Sequence, residues 1–88
     1  VSRSIITDEI DKCHHCGGVK TDIHHCILGS RRKLADMDGL VVPLCRFCHH
    51  KVHQDPLLTK YYKQLGQRAY ERTRSREEWL VRYGKNYL

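Results

Sequence analysis

Gly39 to Gln54, GLVVPLCRFCHHKVHQ, decides how the rest of the chain is read. Leu40–Leu44 is a short apolar run and predicts a strand. Pro43 has no N–H to give a sheet, so this strand belongs at an edge or is close to its end. Cys45 and Cys48 make a C-x2-C pair, which is half of a metal site. His49 and His53 stand four residues apart, which on a helix turns both imidazoles to one face. Each half-site needs partners from elsewhere in the chain.

The partners lie upstream. Cys13–Gly18, CHHCGG, is a knuckle in which two sulfurs reach one ion and the following glycines permit a tight positive-φ turn. Cys13, Cys16, Cys45 and Cys48 then form C-x2-C-x28-C-x2-C, a spacing that suits tetrahedral Zn²⁺. Four thiolates fill such a site and leave no position for water, so its role is structural. It clamps the knuckle to the junction between strand and helix. The alternatives are two disulfides or four reduced core cysteines. An odd total of five cysteines, clustered with all seven histidines between Cys13 and His53, favours the metal. Cys26 is left over and is expected to face the core as a small hydrophobe.

Between the halves, Thr21–Leu28, TDIHHCIL, is rich in β-branched and apolar residues and predicts a first strand, ended by Gly29. Ser30–Asp38, SRRKLADMD, reads as a polar loop, and the two strands pair as a hairpin across it. Cys45–Gln54 predicts a short helix. Asp55 and Pro56 then supply an N-cap and first helical residue for a longer one. Leu57, Leu58, Tyr61, Tyr62, Leu65, Ala69 and Tyr70 keep helical spacing along it. Ser75 and Glu78 form a capping box for a last helix, which Gly84 closes. The aromatics of both helices are read as core. That includes Trp79, the only tryptophan, in preference to a base-stacking role.

The totals agree with a small stapled domain. Eighty-eight residues make one domain, 1–88, with a metal core at 13–53 and a helical segment at 56–84. A core this small commonly needs a metal or disulfides. The formal net charge of +6 points toward nucleic acid. No apolar run approaches the roughly 20 residues of a membrane span, and no signal-peptide pattern is present, so an intracellular location is expected.

With four cysteines spent, the histidines remain. The helical pair His49 and His53 can chelate one ion. One of His24 and His25 can complete that site, and the other is then free to act as a base. A strict strand would put these two neighbours on opposite faces, so joint service at one site asks for a bend.

The order C-x2-C, DIHH, hairpin, PLC-x2-CHH-x2-H resembles the HNH endonucleases, the ββα-metal or His-Me finger superfamily, over Cys13 to His53. KQLGQRAYE, SREEW and YGKNYL are similar to segments of small HNH-like proteins encoded by phages and prophages. The resemblance implies an α+β fold: a zinc-stapled ββα-metal domain with a two-stranded hairpin, a short metal-binding helix and two C-terminal helices. It implies a metal-dependent DNA endonuclease or nickase. In that reading His24 is a metal ligand and His25 the general base. His49 is the stronger and His53 the weaker of the two helical ligands, and His50 faces solvent or phosphate. One catalytic divalent ion is implied; imidazole ligands admit Zn²⁺, Ni²⁺, Mn²⁺ or Mg²⁺. The implied partner is DNA, held mainly by its backbone, with Arg31, Arg32 and Lys33 as the gripping cations; a solvated loop is their alternative role. A protein partner for targeting, or a homodimer that cuts both strands, is a further expected partner. A catalytically weak, zinc-stapled DNA-binding module is the alternative function.

One departure stands out. The family's central asparagine precedes the second strand, where Asp38, Gly39 and Leu40 stand here. Asp38 is therefore the candidate to orient the ring of His25. The alternative is an empty position and weak or absent activity.

Overall fold

The computed structural model describes residues 4–88. The described residues form a two-stranded antiparallel sheet with four α-helices around it. Strand β1 is Asp22–His25 and strand β2 is Val41–Leu44. They pair Asp22 with Leu44, Ile23 with Pro43, His24 with Val42 and His25 with Val41. Both strands are edges, so Pro43 costs no inner ladder bond. Its carbonyl instead accepts from His14 N at 2.7 Å, which ties the knuckle to the sheet.

The segment between the strands is not a loop. A 3-10 turn at Gly29–Arg31 leads into helix α1, Arg32–Asp38, and Gly39 closes it in the left-handed region at φ 74°. Its seven residues contain neither glycine nor proline, and Ala35 is fully buried. A single buried contact is too little for hydrophobic periodicity to register, which is why the polar composition read as a loop.

Helix α2, Arg46–Gln54, starts at Cys45, whose sulfur accepts from Cys48 N. Helix α3, Pro56–Tyr70, has Asp55 as N-cap and Pro56 at its first position. Helix α4, Arg76–Tyr83, opens with the Ser75–Glu78 capping box and closes on Gly84 at φ 78°. The last two follow the expected capping chemistry.

The core joins the sheet to α2, α3 and α4. Trp79 is completely buried and stacks on Tyr83 with ring centroids 4.2 Å apart; Tyr70 meets it edge-on at 5.4 Å. Its Nε1 donates to the Lys85 carbonyl at 2.8 Å, so the polar end of the indole is satisfied. Cys26 is buried, as expected, with Gly66 of α3 packed on it so closely that a Cβ there would stand 3.2 Å from the Cys26 Cβ. Tyr61 is a correction to the expected core, being 46% exposed, and Leu57, which shares the helical spacing, is 79% exposed. Helical spacing identified a stripe wider than the face that α3 buries. Among the described residues no helix is long and apolar enough to cross a membrane.

Candidate functional site

Two clusters of ligand-type side chains flank α2. The first brings together Cys13, Cys16, Cys45 and Cys48, their sulfurs all within 4.8 Å of one another. None is in a disulfide. Cys16 Sγ and Cys45 Sγ lie 3.8 Å apart, close to the separation of about 3.8 Å that 2.3 Å bonds give at a tetrahedral angle. Backbone N–H groups of Cys16, Gly18 and Cys48 point at the sulfurs of Cys13, Cys16 and Cys45, each at 3.4 Å. Burial works against a charge on Cys13, yet backbone N–H groups at Cys16, Cys45 and His15 bring its thiol down to about 6. Burial first, then its sulfur neighbours, pushes Cys48 the other way. Such a set loses its first proton readily and holds its last. A bound cation removes that conflict, and the set could hold a metal ion such as zinc.

The second cluster is His24, His49 and His53, with one ring nitrogen from each within 4.8 Å of the others. The strand alternates strictly. Asp22 and His24 face α2, and His25 faces α1, as the contacts of each show. Nε2 of His49 and Nε2 of His53 are 3.1 Å apart, near the roughly 3.3 Å expected of two imidazoles on one tetrahedral ion. His49 is fixed from behind, because its Nδ1 meets Asp22 Oδ2 at 3.0 Å. A carboxylate on one ring nitrogen sets the tautomer and leaves the other lone pair for a ligand.

His24 is the buried member, at 1% exposure. Its Nδ1 is the buried side-chain polar atom that lacks a hydrogen-bond partner among the described residues. Burial, followed by the nearby His49, His53 and His25 rings, holds its pKa down to about 3. A buried, neutral imidazole with an unmet nitrogen costs free energy in the bare fold. Three imidazoles with one nitrogen each within 4.8 Å of the others make a donor set that fits a divalent ion.

His25 sits on the other face. Arg32 Nε donates to its Nδ1 at 3.3 Å, and its Nε2 lies 3.0 Å from Asp36 Oδ1. Because Nδ1 accepts from arginine, Nε2 carries the proton and donates to Asp36. The orienting carboxylate is thus Asp36 and not Asp38. Asp38 accepts from Arg82 through both its oxygens, from Nη2 at 2.9 Å, and from the Tyr83 hydroxyl. It fastens α1 to α4 and takes no part near His25.

The three cations of the 31–33 run also divide. Arg32 and Lys33 line a cavity of about 450 Å³ with His25, Ser30 and Asp36. Arg31 turns toward the end of α4, its Nη2 3.4 Å from where a Cβ on Gly84 would stand. Arg32 lies close enough to His53 to contribute, after burial, His49 and His50, to that ring's lowered pKa. Strict alternation leaves His25 on the face of β1 opposite His24, without the bend that joint service at one site asks for. His50 is exposed. His14 joins the clusters: its Nδ1 meets the Tyr62 hydroxyl at 3.0 Å, and Tyr62 packs edge-on to His24.

Asp22 and Asp36 were missed in the sequence. Asp22 carried a usable signal, since residues two apart on a strand share a face. Asp36 did not, because its reach depends on α1 being a helix. Compared with protein-family models, with curated proteins and with solved structures, the chain matches none.

Proposed function

We propose that this protein is a metal-dependent DNA endonuclease or nickase of the HNH type, built on a zinc-stapled ββα-metal domain. The observation that supports it most is the pairing of an open histidine trio with an oriented histidine adjacent to it in sequence, on the opposite face of β1. His24, His49 and His53 offer three converging imidazole donors, and the buried His24 has a ring nitrogen without a partner among the described residues. His25 stands beside them in sequence, its Nε2–H held by Asp36 and its Nδ1 lone pair turned toward an exposed arginine.

Zinc in the four-sulfur cluster would be structural, since four thiolates complete its shell. His24, His49 and His53 would hold the second divalent ion, which would supply Lewis-acid stabilisation of charge on a phosphate. The remaining work falls to side chains of this chain. His25 Nδ1 takes a proton from the attacking water, and Asp36 stabilises the imidazolium that results. Arg32 must leave Nδ1 for this to happen. A substrate phosphate gives its guanidinium a charged partner in place of a neutral nitrogen, so substrate binding itself uncovers the base. Lys33 on the same cavity adds positive charge for the DNA backbone.

The test is nicking of supercoiled plasmid with Mn²⁺, Mg²⁺ or Ni²⁺. Wild type is expected to relax the plasmid. His25→Ala should lower the rate at least about 100-fold, as loss of a general base does, while zinc content and circular dichroism are retained. Plasmid left intact under all three ions would overturn the nuclease reading. Full activity in His25→Ala would remove His25 as the base.

A further inference from the structure

A cavity of about 700 Å³ opens between α3 and residues 85–88. Lys60 and Lys63 of α3 and Lys85 and Tyr87 of the last segment line it, with His53 of the histidine trio also in its wall. No Asp or Glu side chain lines it. Among the described residues the ion pairs take His25, His49, Arg76 and Arg82, and none takes these lysines. Lys63 and Lys85 both approach the Tyr87 ring, at 5.3 and 5.6 Å from its centroid. The ring's electron-rich face lets two ammonium groups stand near each other.

The wall is built in advance. Gln67, fully buried, accepts from Tyr87 N at 2.8 Å and donates to Asn86 Oδ1 at 2.9 Å. Gln64 donates to the Tyr87 carbonyl at 2.8 Å, and the indole of Trp79 donates to the Lys85 carbonyl. The last segment is thus pinned to α3 and α4 by its backbone, and its side chains are left to face the cavity. Concentrated unpaired positive charge in a preorganised concavity calls for an anion. The volume falls within the roughly 300–1,000 Å³ of ligand pockets, more than an inorganic phosphate fills.

We propose that this pocket seats adjacent backbone phosphates of a nucleic-acid strand, flanking the phosphodiester presented to the histidine trio, with Lys60, Lys63 and Lys85 fixing the strand's register. It rests on the nuclease reading for its substrate class, and the wall shared through His53 places the two sites side by side.

The experiment is fluorescence anisotropy of a short labelled DNA duplex with the zinc-loaded protein and no other added divalent ion. Salt is varied between about 50 and 200 mM. Each lost phosphate contact lowers the slope of log affinity against log salt by about 0.9. Lys60→Gln/Lys63→Gln should therefore lower it by about 2, and Lys85→Gln by about 1. Lys51→Gln, exposed on α2 and outside the pocket, should leave it unchanged. Lys85 lies outside the helices, so its variant stands as the measure even if the double variant fails to fold by circular dichroism. Slopes equal to wild type in the pocket variants would overturn the proposal. So would calorimetric binding of inorganic phosphate that needs these lysines while the duplex slope does not, which marks a site for free phosphate. Lysine-dependent binding of a duplex that is never nicked keeps the pocket and removes the nuclease. Nicking with unchanged slopes does the reverse, and no duplex binding by wild type overturns both.

Discussion

The four-sulfur and three-histidine clusters draw on the same nine-residue helix, one at its start and the other along its side. They differ in how complete they are. The sulfurs number four, come from the knuckle and the head of α2, and receive backbone N–H groups at 3.4 Å. The imidazoles number three, and one of them, His53, is exposed. Behind the sulfurs stands backbone; behind His49 stands the carboxylate of Asp22. A complete set holds a fold together, whereas an incomplete one leaves a coordination position for something else. The two clusters thus differ in ligand type, in the count of donors and in what backs them.

The largest effect expected of that contrast is on folding. Cys45→Ser should lose zinc and the folded state together, because apparent zinc binding of about 10 kcal/mol or more rivals the whole stability of a small domain. Loss of histidine donors should leave the fold in place. Elemental analysis alongside circular dichroism reads both, and a folded, zinc-free Cys45→Ser would break the contrast at its stronger side.

Asp22→Asn tests the backing of the weaker side. It should reduce affinity of the trio for Ni²⁺ or Mn²⁺ by about 10–100-fold, measured by titration calorimetry, with the melting temperature little changed. An unchanged affinity would mean that the 3.0 Å contact to His49 does nothing for the ligand.

The smallest effect is one of pH. His24 stays uncharged in the fold down to about 3, whereas a free histidine takes its proton near 6.5. Stability from keeping it neutral is therefore full above about pH 6.5 and drains away as pH falls toward 3. By pH 5 the loss is roughly 2 kcal/mol. His24→Leu should flatten this slope and, with no ion at the trio, be at least as stable as wild type near neutrality, since it removes a buried unmet nitrogen. Thermal melts of the two proteins between pH 5 and 7 give the difference, in which the sulfur cluster cancels. Parallel slopes would show that His24 is not its origin.

Much of this was readable from residue types and spacing. The two C-x2-C halves, the paired His49 and His53, the helix ends at Asp55, Ser75 and Gly84, and the buried Trp79 follow from local rules that act within a few residues, whereas the choice of His24 over His25 as the third donor came from the family resemblance. What escaped needed a neighbour. Arg32 and Asp36 reach His25 together because they stand four apart on α1, and a segment read as loop gives no reason to pair them. Asp38 lies two residues on, about 200° further round that helix, and so belongs to Arg82 and Tyr83. A position in the family's motif thus pointed to a carboxylate beside His25, but to the wrong residue. Tyr61 failed similarly: periodicity gives a face but not its width.

Cys45 begins α2, and His49 and His53 ride on its next turns. An ion held at the head of that helix and an ion held along its side therefore act on one folding unit. Thermodynamic reciprocity then applies: whatever the first does to the affinity of the second, the second does equally to the first. An affinity measured at the histidines is conditional on the occupancy of the sulfurs, and a preparation stripped of one metal is not a blank for the other.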